Sequence, residues 1–294
     1  MRAIPLVLNS RSGSAADDMA QRLAGLYRAA GAELVLHVAK SGSELVPLAK
    51  EAARGRPPLV VAAGGDGTVN AVASVLTGSG IALGVIPSGT LNHFARDLAI
   101  PLDAPAAVVA TLEGHAREID VGEVNGRIFL NNSSIGLYPA MVRLRTKQQR
   151  RLGRGKWQAM LWAAHTVLGR HPFMQLTLEL DGKPYRRRTP FVFIGNNVYE
   201  MQGFDIGRRA RLDAGTLSVY VTHRGGRLGL LTLAARALLG RLEQSRDFEA
   251  ATAAELRIES RHTRLLVATD GEVSAMDLPL TYRVRPRALR VIAP

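Results

Sequence analysis

Cysteine is absent from the 294 residues. That excludes a disulfide framework, a thiolate nucleophile and a zinc site built on sulfur, and it fits an intracellular protein. Missing too is any run of the roughly 18–20 apolar residues that crossing a bilayer as a helix requires. The most apolar helical stretches, Ala159–Leu168 and Leu228–Leu239, are too short or are interrupted by Arg236. Met1-Arg2 leads into the short apolar run Ile4–Leu8 and then into Asn9-Ser10-Arg11-Ser12-Gly13, a pattern that predicts no secretory leader. There is no internal repeat and no low-complexity tract. These absences point to a soluble or peripheral protein.

What is present is enough apolar material for more than one core. Hydrophobic residues make up 47% of the chain, and its length suits two domains. Cations outnumber carboxylates, giving a formal net charge of +13 that favours anionic partners: acidic lipid, polyphosphate or nucleic acid. A compositional preference for arginine explains a global excess equally well. One cluster is local. Arg143–Lys156 carries seven cations and no carboxylate, and it runs into a stretch containing Trp157 and Trp162. Basic residues beside an aromatic, apolar helical pattern suit an anionic membrane surface, and they equally suit a solvated helix packed on its own domain. No helix-turn-helix or RNA-binding signature accompanies the charge, so no nucleic-acid partner is expected.

The pattern of the first 122 residues is strand and helix in alternation. Ala3–Leu8, Glu33–Val38, Pro58–Ala62 and Ile81–Ile86 read as strands; Ala15–Ala30, Glu44–Arg54 and Val69–Leu76 read as helices. Such spacing predicts βαβ units and a parallel sheet, an α/β domain over 1–122. Past Gly122 short alternating segments replace it: Glu123–Asn131, Met174–Leu180, Phe191–Ile194, Leu217–Thr222, Glu255–Glu259, Leu265–Ala268 and Leu280–Val284. Turn signals such as Asp181-Gly182, Gly195-Asn196-Asn197 and Asp270-Gly271 divide them. They predict an all-β sandwich over 123–294 with one or two inserted helices.

The most informative stretch joins the strand ending at Ala62 to Gly64-Gly65-Asp66-Gly67-Thr68 and then to a helix. Small residues let backbone approach a ligand, and a helix N-terminus presents N–H groups to an anion, so the turn reads as a phosphate cradle. It is neither a Walker loop nor a GxGxxG fingerprint. A carboxylate among phosphate-binding glycines is repulsive unless a divalent cation intervenes, which makes Asp66 a candidate ligand of an ATP-bound Mg²⁺. A helix-capping aspartate in a tight turn is the plainer alternative. A second loop of the same kind, Pro87-Ser88-Gly89-Thr90, follows the next strand, and two such loops define a nucleotide crevice.

In order along the chain stand NSRSG (9–13), GGDGTVN (64–70), PSGTLNHFARDL (87–98), DVGEVNG (120–126), NNSSIG (131–136), LDAGTL (212–217) and DGE (270–272). This series resembles the diacylglycerol kinase catalytic family, which includes sphingosine, ceramide and bacterial lipid kinases. The resemblance implies an N-terminal ATP domain of the phosphofructokinase/NAD-kinase type, a C-terminal β-sandwich, and ATP in the cleft between them. It implies nucleotide contacts from Asn9, Ser12, Gly13, Gly64, Gly65, Asp66, Gly67, Thr68, Asn70, Ser88, Gly89 and Thr90, with Lys40 where the family often has threonine. Asp66 and Asp120 would hold Mg²⁺, and Asp270 or Glu272 would act as base. Two positions depart from the family pattern: His93 stands where aspartate is common, and Ala214 replaces an aspartate of a structural metal site.

Together these imply transfer of the γ-phosphoryl of ATP to the hydroxyl of a lipid in an anionic membrane, at the cytoplasmic face. An NAD-kinase-like enzyme and a non-catalytic, nucleotide-dependent membrane-binding protein remain alternatives, and a homodimer is left open.

Overall fold

The structure, a computed structural model, describes residues 2–9, 13–137, 139, 173–202, 205–222 and 248–294. The basic and tryptophan-containing stretch 143–162 lies outside them, as does Ser12. The chain divides into two compact units, Met1–Val121 with Arg285–Pro294, and Gly122–Val284.

The first unit opens with β1 (Arg2–Asn9), α1 (Gly13–Ala29), β2 (Ala32–Ala39), a short 3₁₀ turn and α2 (Leu45–Ala52). Next come β3 (Leu59–Gly64), α3 (Asp66–Leu76), β4 (Ala82–Pro87), α4 (His93–Asp97), α5 (Ala104–Glu113) and β5 (His115–Val124). The four strands β2-β1-β3-β4 are parallel. β3 and β4 are buried at every position, which is why they read as continuous apolar runs rather than alternating ones. Their side chains pack against helices that offer Leu23, Tyr27, Val72, Leu76 and Val108, all buried. Tyr27 of α1 is fully enclosed and meets the Thr111 hydroxyl of α5 at 2.6 Å. Burial pushes this phenol up to about 12, with the Thr111 hydrogen bond pulling the other way.

Arg285–Pro294 complete this unit: Arg290 and Val291 pair in parallel with Ala82 and Leu83 of β4. The alternating pattern ended at Val284 and assigned 123–294 to the second domain. The difference arises at Arg287, whose left-handed backbone (φ 49°) and preceding Pro286 break the alternation without ending the strand. The N–H of Arg287 is taken up by Asp120 Oδ1 at 2.9 Å.

The second unit is two antiparallel sheets. One has the order β14 (Phe248–Ala253), β13 (Leu217–Thr222), β10 (Phe191–Asn196), β7 (Asn132–Gly136), β16 (Arg264–Thr269), β17 (Glu272–Asp277). In the other, the N-terminal part of β18 (Leu280–Ala293) pairs β15 (Glu255–Ser260), then β8 (Met174–Leu180) and β9 (Lys183–Thr189). β6 (Arg127–Phe129) pairs the end of β5 through an Asn125-Gly126 turn, so the expected single segment 123–131 is a hairpin. β11 (Tyr199–Gln202) and β12 (Asp205–Arg209) form a separate ribbon. Alternate residues of facing strands make the core, among them Ile135, Leu176, Leu178, Ile194, Val219, Ile258 and Tyr282. This is the expected sandwich.

Candidate active site

Parallel registry lines up the carboxyl ends of the first unit's strands. Asn9 pairs with Ala39, Leu8 with Ala63, and Gly64 with Pro87. Four of the loops singled out by sequence therefore leave one edge of one sheet, side by side at about 4.8 Å per strand. They are the start of α1 at Gly13, Lys40 just past β2, the Gly64–Thr68 turn and Ser88–Thr90. Ser88 N–H donates to the Gly64 carbonyl at 3.0 Å, extending the pairing one step beyond the strands.

The helix after Gly64 starts earlier than its apolar period indicated, at Asp66 rather than Val69. Gly65 is the cap residue, in extended conformation, and its carbonyl accepts the Thr68 and Val69 N–H groups at 2.9 and 3.1 Å. The N–H groups of Asp66 and Gly67 precede the first intrahelical acceptor and lie at the positive end of an eleven-residue helix. Asn9 Nδ2 donates to Thr68 Oγ1 at 3.2 Å, while Asn9 Oδ1 is buried with no partner among the described residues. Such an atom is costly to leave unpaired and indicates a missing polar partner. Asn70 lies one turn after Asp66 on α3, half-buried.

The two glycine loops touch. A Cβ on Gly89 would lie 2.6 Å from Gly65 Cα, closer than real contacts, so neither backbone leaves room for a side chain between them. Asn92 fixes this arrangement. It adopts a left-handed backbone (φ 50°), accepts the Gly89 N–H at 3.0 Å and donates to the Gly89 carbonyl at 2.8 Å. Gly89→Ala is therefore expected to force the two loops apart and to lower Tm by several degrees, read by thermal melts. Asn92 was not among the residues the sequence singled out for binding, although it stands in the PSGTLN motif; its spacing from Gly89 was the available signal.

Asp66 Oδ1 accepts the Phe94 N–H at 3.3 Å, which ties the start of α3 to the start of α4. Its second oxygen has no partner among the described residues. His93, which departs from the expected family pattern, is the first residue of α4 and is exposed.

Asp120 does not join this constellation, contrary to the expectation that it shares a metal with Asp66. It is 1% exposed and holds the Arg287 N–H. Arg290 is level with Ala82, and Pro87 is level with Gly64. Arg287 and the Gly64 turn are thus separated by about eight residues of strand, roughly 26 Å at 3.3 Å each. Asp120 is a structural acceptor at the opposite end of the sheet. Among the described residues no group of three or more His, Asp or Glu side chains is arranged as a metal cluster. A single carboxylate suffices for a magnesium ion that also takes phosphate oxygens and waters, and the free oxygen of Asp66 fits that demand.

In the second unit Asp270 and Gly271 form the two-residue turn between β16 and β17, with φ of 46° and 84°. The turn is local; the side chain is not. Asp270 Oδ2 accepts the Leu130 N–H at 2.7 Å, and Oδ1 accepts those of Asn131 and Asn132 at 2.9 and 3.0 Å. Arg209, 4% exposed, grips the same segment from its other side. It donates to the Leu130 carbonyl at 2.6 Å and to Asn131 Oδ1 at 2.9 Å, with its guanidinium 5.4 Å from the Tyr199 ring centre. Enclosure raises the Asp270 carboxyl above the ordinary carboxylate range; the three N–H bonds and the Arg209 charge oppose the rise without cancelling it. Arg209 and Asn131 were missed by sequence reasoning. Arg209 belongs to no motif, and two of its partners, Asn131 and Leu130, are 78 and 79 positions away.

Glu272 is different. Its side chain is 66% exposed and pairs with Arg127 at 2.6 Å. A surface pair of this kind is worth little, so Glu272→Gln is expected to change kcat less than threefold and Tm hardly at all. In the 212–217 loop, Asp213 pairs with Arg211 at 3.0 Å and the Ala214 N–H donates to Asn197 Oδ1.

Comparison with known proteins agrees with this anatomy. Residues 3–124 match the family model of the diacylglycerol kinase catalytic domain, and 134–293 match that of the YegS C-terminal NAD kinase beta sandwich-like domain. A Pseudomonas aeruginosa protein named "Probable lipid kinase YegS-like" is 31% identical, covering 98% of this chain and 93% of the relative. A Staphylococcus aureus diacylglycerol kinase is 31% identical over 80% of this chain and 74% of its own. A solved structure from Bacillus anthracis superimposes with a TM-score of 0.77 at 25% identity, covering 100% of this chain and 98% of that one. The chain belongs to the diacylglycerol kinase catalytic family, with the two-domain organisation of its YegS-like lipid kinases.

Proposed function

We propose that this protein transfers the γ-phosphoryl group of ATP to the hydroxyl of a membrane lipid of the diacylglycerol or sphingoid class, with Mg²⁺ as cofactor. The observation that carries the reading is the shared carboxyl edge of the parallel sheet. There two glycine loops in contact, the unshared N–H groups of Asp66 and Gly67, and the buried, unpartnered Asn9 Oδ1 converge with one available carboxylate oxygen. This set suits a nucleotide polyphosphate with its cation.

The residues divide the work by their chemistry. Gly64–Thr68 and Ser88–Thr90 cradle phosphates with backbone N–H groups, and Asn92 keeps the second loop from collapsing. Lys40, exposed at the end of β2, adds a mobile positive charge. Asp66 would hold the magnesium ion, which when bound supplies charge neutralisation on the phosphate oxygens. Asp270 is assigned the proton of the lipid hydroxyl. Its raised pKa brings it nearer the acceptor strength a general base needs, whereas the ion-paired Glu272 lacks that environment. Phosphoryl transfer itself needs mainly positioning and charge stabilisation.

The work is assigned to the cytoplasmic face of the membrane, where ATP and lipid meet. The test is ³²P transfer from ATP to vesicles carrying diacylglycerol, sphingosine, ceramide or phosphatidylglycerol, with NAD as a separate acceptor. Label in NAD and in none of the lipids would replace this reading with an NAD kinase. ATP binding with no ADP released would replace it with a non-catalytic membrane protein.

A further inference from the structure

The outer face of the β9-β8-β15 sheet carries a feature that phosphoryl transfer does not use. A groove of about 480 Å³ is lined by Gln175, Thr177, Arg186, Arg188, Glu259 and Arg261 among others. Registry explains why these side chains meet. Arg188 pairs with Gln175 and Arg186 with Thr177; Glu259 is opposite Thr177 from the other flank. Ser260 is opposite Leu176, so Arg261, one residue further, comes level with Gln175. Residues directly opposite one another in an antiparallel sheet share a face. The alternate residues Leu176, Leu178, Leu256 and Ile258 are in the core, so the arginines and amides point away from it.

The charge in this groove is not neutralised internally. Glu259 is already engaged by Arg257 at 2.9 Å. Among the described residues Arg186, Arg188 and Arg261 have no carboxylate partner, and all three are exposed. Ordinary edge strands use lysine and scattered charge to stay in solution. Here three consecutive arginines occupy the edge strand, and the two that face outward stand over neutral donors, Gln175 and Thr177, that can also bind phosphate oxygens. An aromatic ring borders the site: Arg188 lies 5.2 Å from the Phe173 ring centre. Guanidinium groups matched to phosphates, with an apolar ring beside them, fit the headgroup layer of a bilayer.

We infer that this outer sheet face is a docking surface for an anionic phospholipid bilayer, seating the arginines of β9 and Arg261 among the headgroup phosphates. The inference deepens the proposed function, because an enzyme whose acceptor is a lipid must reach it at a membrane surface. Charge complementarity of the exposed arginines selects anionic lipid over neutral lipid. A contribution of about 1 kcal/mol per cation near the headgroups implies that reversing three of them weakens vesicle binding by about a hundredfold or more.

The experiment uses the full chain and two kinds of vesicle, phosphatidylcholine alone and phosphatidylcholine mixed with phosphatidylglycerol, in sedimentation assays. Wild type should bind the mixed vesicles, lose them as salt is raised, and ignore the neutral ones. The variant Arg186→Glu/Arg188→Glu/Arg261→Glu should lose at least a hundredfold in partitioning. A control of equal charge change elsewhere, Arg22→Glu/Lys50→Glu/Arg54→Glu, should lose less than tenfold. Equal losses in the two variants would reduce the effect to net charge and overturn the inference, as would unchanged binding in the first. Tighter retention of inorganic tripolyphosphate or single-stranded RNA than of mixed vesicles would overturn it too, assigning the groove to a soluble polyanion. Vesicle binding is read without turnover, so the docking surface is decided even if no lipid is phosphorylated. Conversely, normal transfer to a detergent-dispersed short-chain acceptor by a triple variant that no longer binds vesicles would support docking and kinase activity separately.

Discussion

Asp270→Asn is expected to lower kcat for lipid phosphorylation by about 10²–10⁴-fold with KM for ATP nearly unchanged. The wild-type pH profile supplies the sign. A base must be deprotonated to act, so activity rises with pH through the pKa of Asp270. Because enclosure raises that pKa, the acid limb of kcat/KM should fall above the ordinary carboxylate range and not within it. The Asn variant should show no such limb in its residual activity. A structural role alone would give a different result: asparagine keeps one carbonyl for Asn131 and Asn132 but opposes an NH₂ to the Leu130 N–H, so Tm falls while the limb remains. A melt and a pH series on the same preparation distinguish the two. Wild-type kcat in the Asn variant would remove Asp270 from the chemistry.

Asp66→Asn tests the other carboxylate. The amide oxygen can still accept the Phe94 N–H that joins α3 to α4, so the loop should keep its shape and Tm should hold within a few degrees. The charge needed for a cation is gone. Turnover is expected to drop by about 10³-fold, and ATP binding measured by calorimetry should lose its dependence on Mg²⁺. Unaltered magnesium dependence would place the cation somewhere other than Asp66. Asp120→Asn makes the contrast, since a buried acceptor of the Arg287 N–H about 26 Å along the sheet should affect stability more than catalysis.

The parts of this fold that the sequence disclosed are those in which one physical signal dominates. β3 and β4 are buried throughout and read as unbroken apolar runs, while β8 sends alternate residues, Leu176 and Leu178, into the core. β9 was illegible because Lys183–Thr189 is an edge strand whose exposed positions are filled with arginine. α5 was overlooked although its start is marked: Asp103 accepts the Ala106 N–H at 3.2 Å and a proline follows in the first turn. An alanine- and valine-rich stretch carries little periodic contrast, so its capping residues were the better guide. At the site, the glycine loops were legible as compositional motifs. The partners of Asp120, Asp270 and Arg209 were not, because each bond joins residues more than 70 positions apart that only the tertiary fold brings together.

The pairing of Arg290 and Val291 with β4 also bears on how the polypeptide acquires its shape during synthesis. When a ribosome has emitted the first 121 residues, the flank of β4 that these residues will cover has unpaired backbone groups, and its partner strand is still to be translated. Asp120 likewise waits for Arg287, 167 positions downstream. The first unit is therefore begun first, and its sheet is completed only once residues 285–294 have been made. Expressing residues 1–121 alone would leave that bare strand flank as a template for self-association.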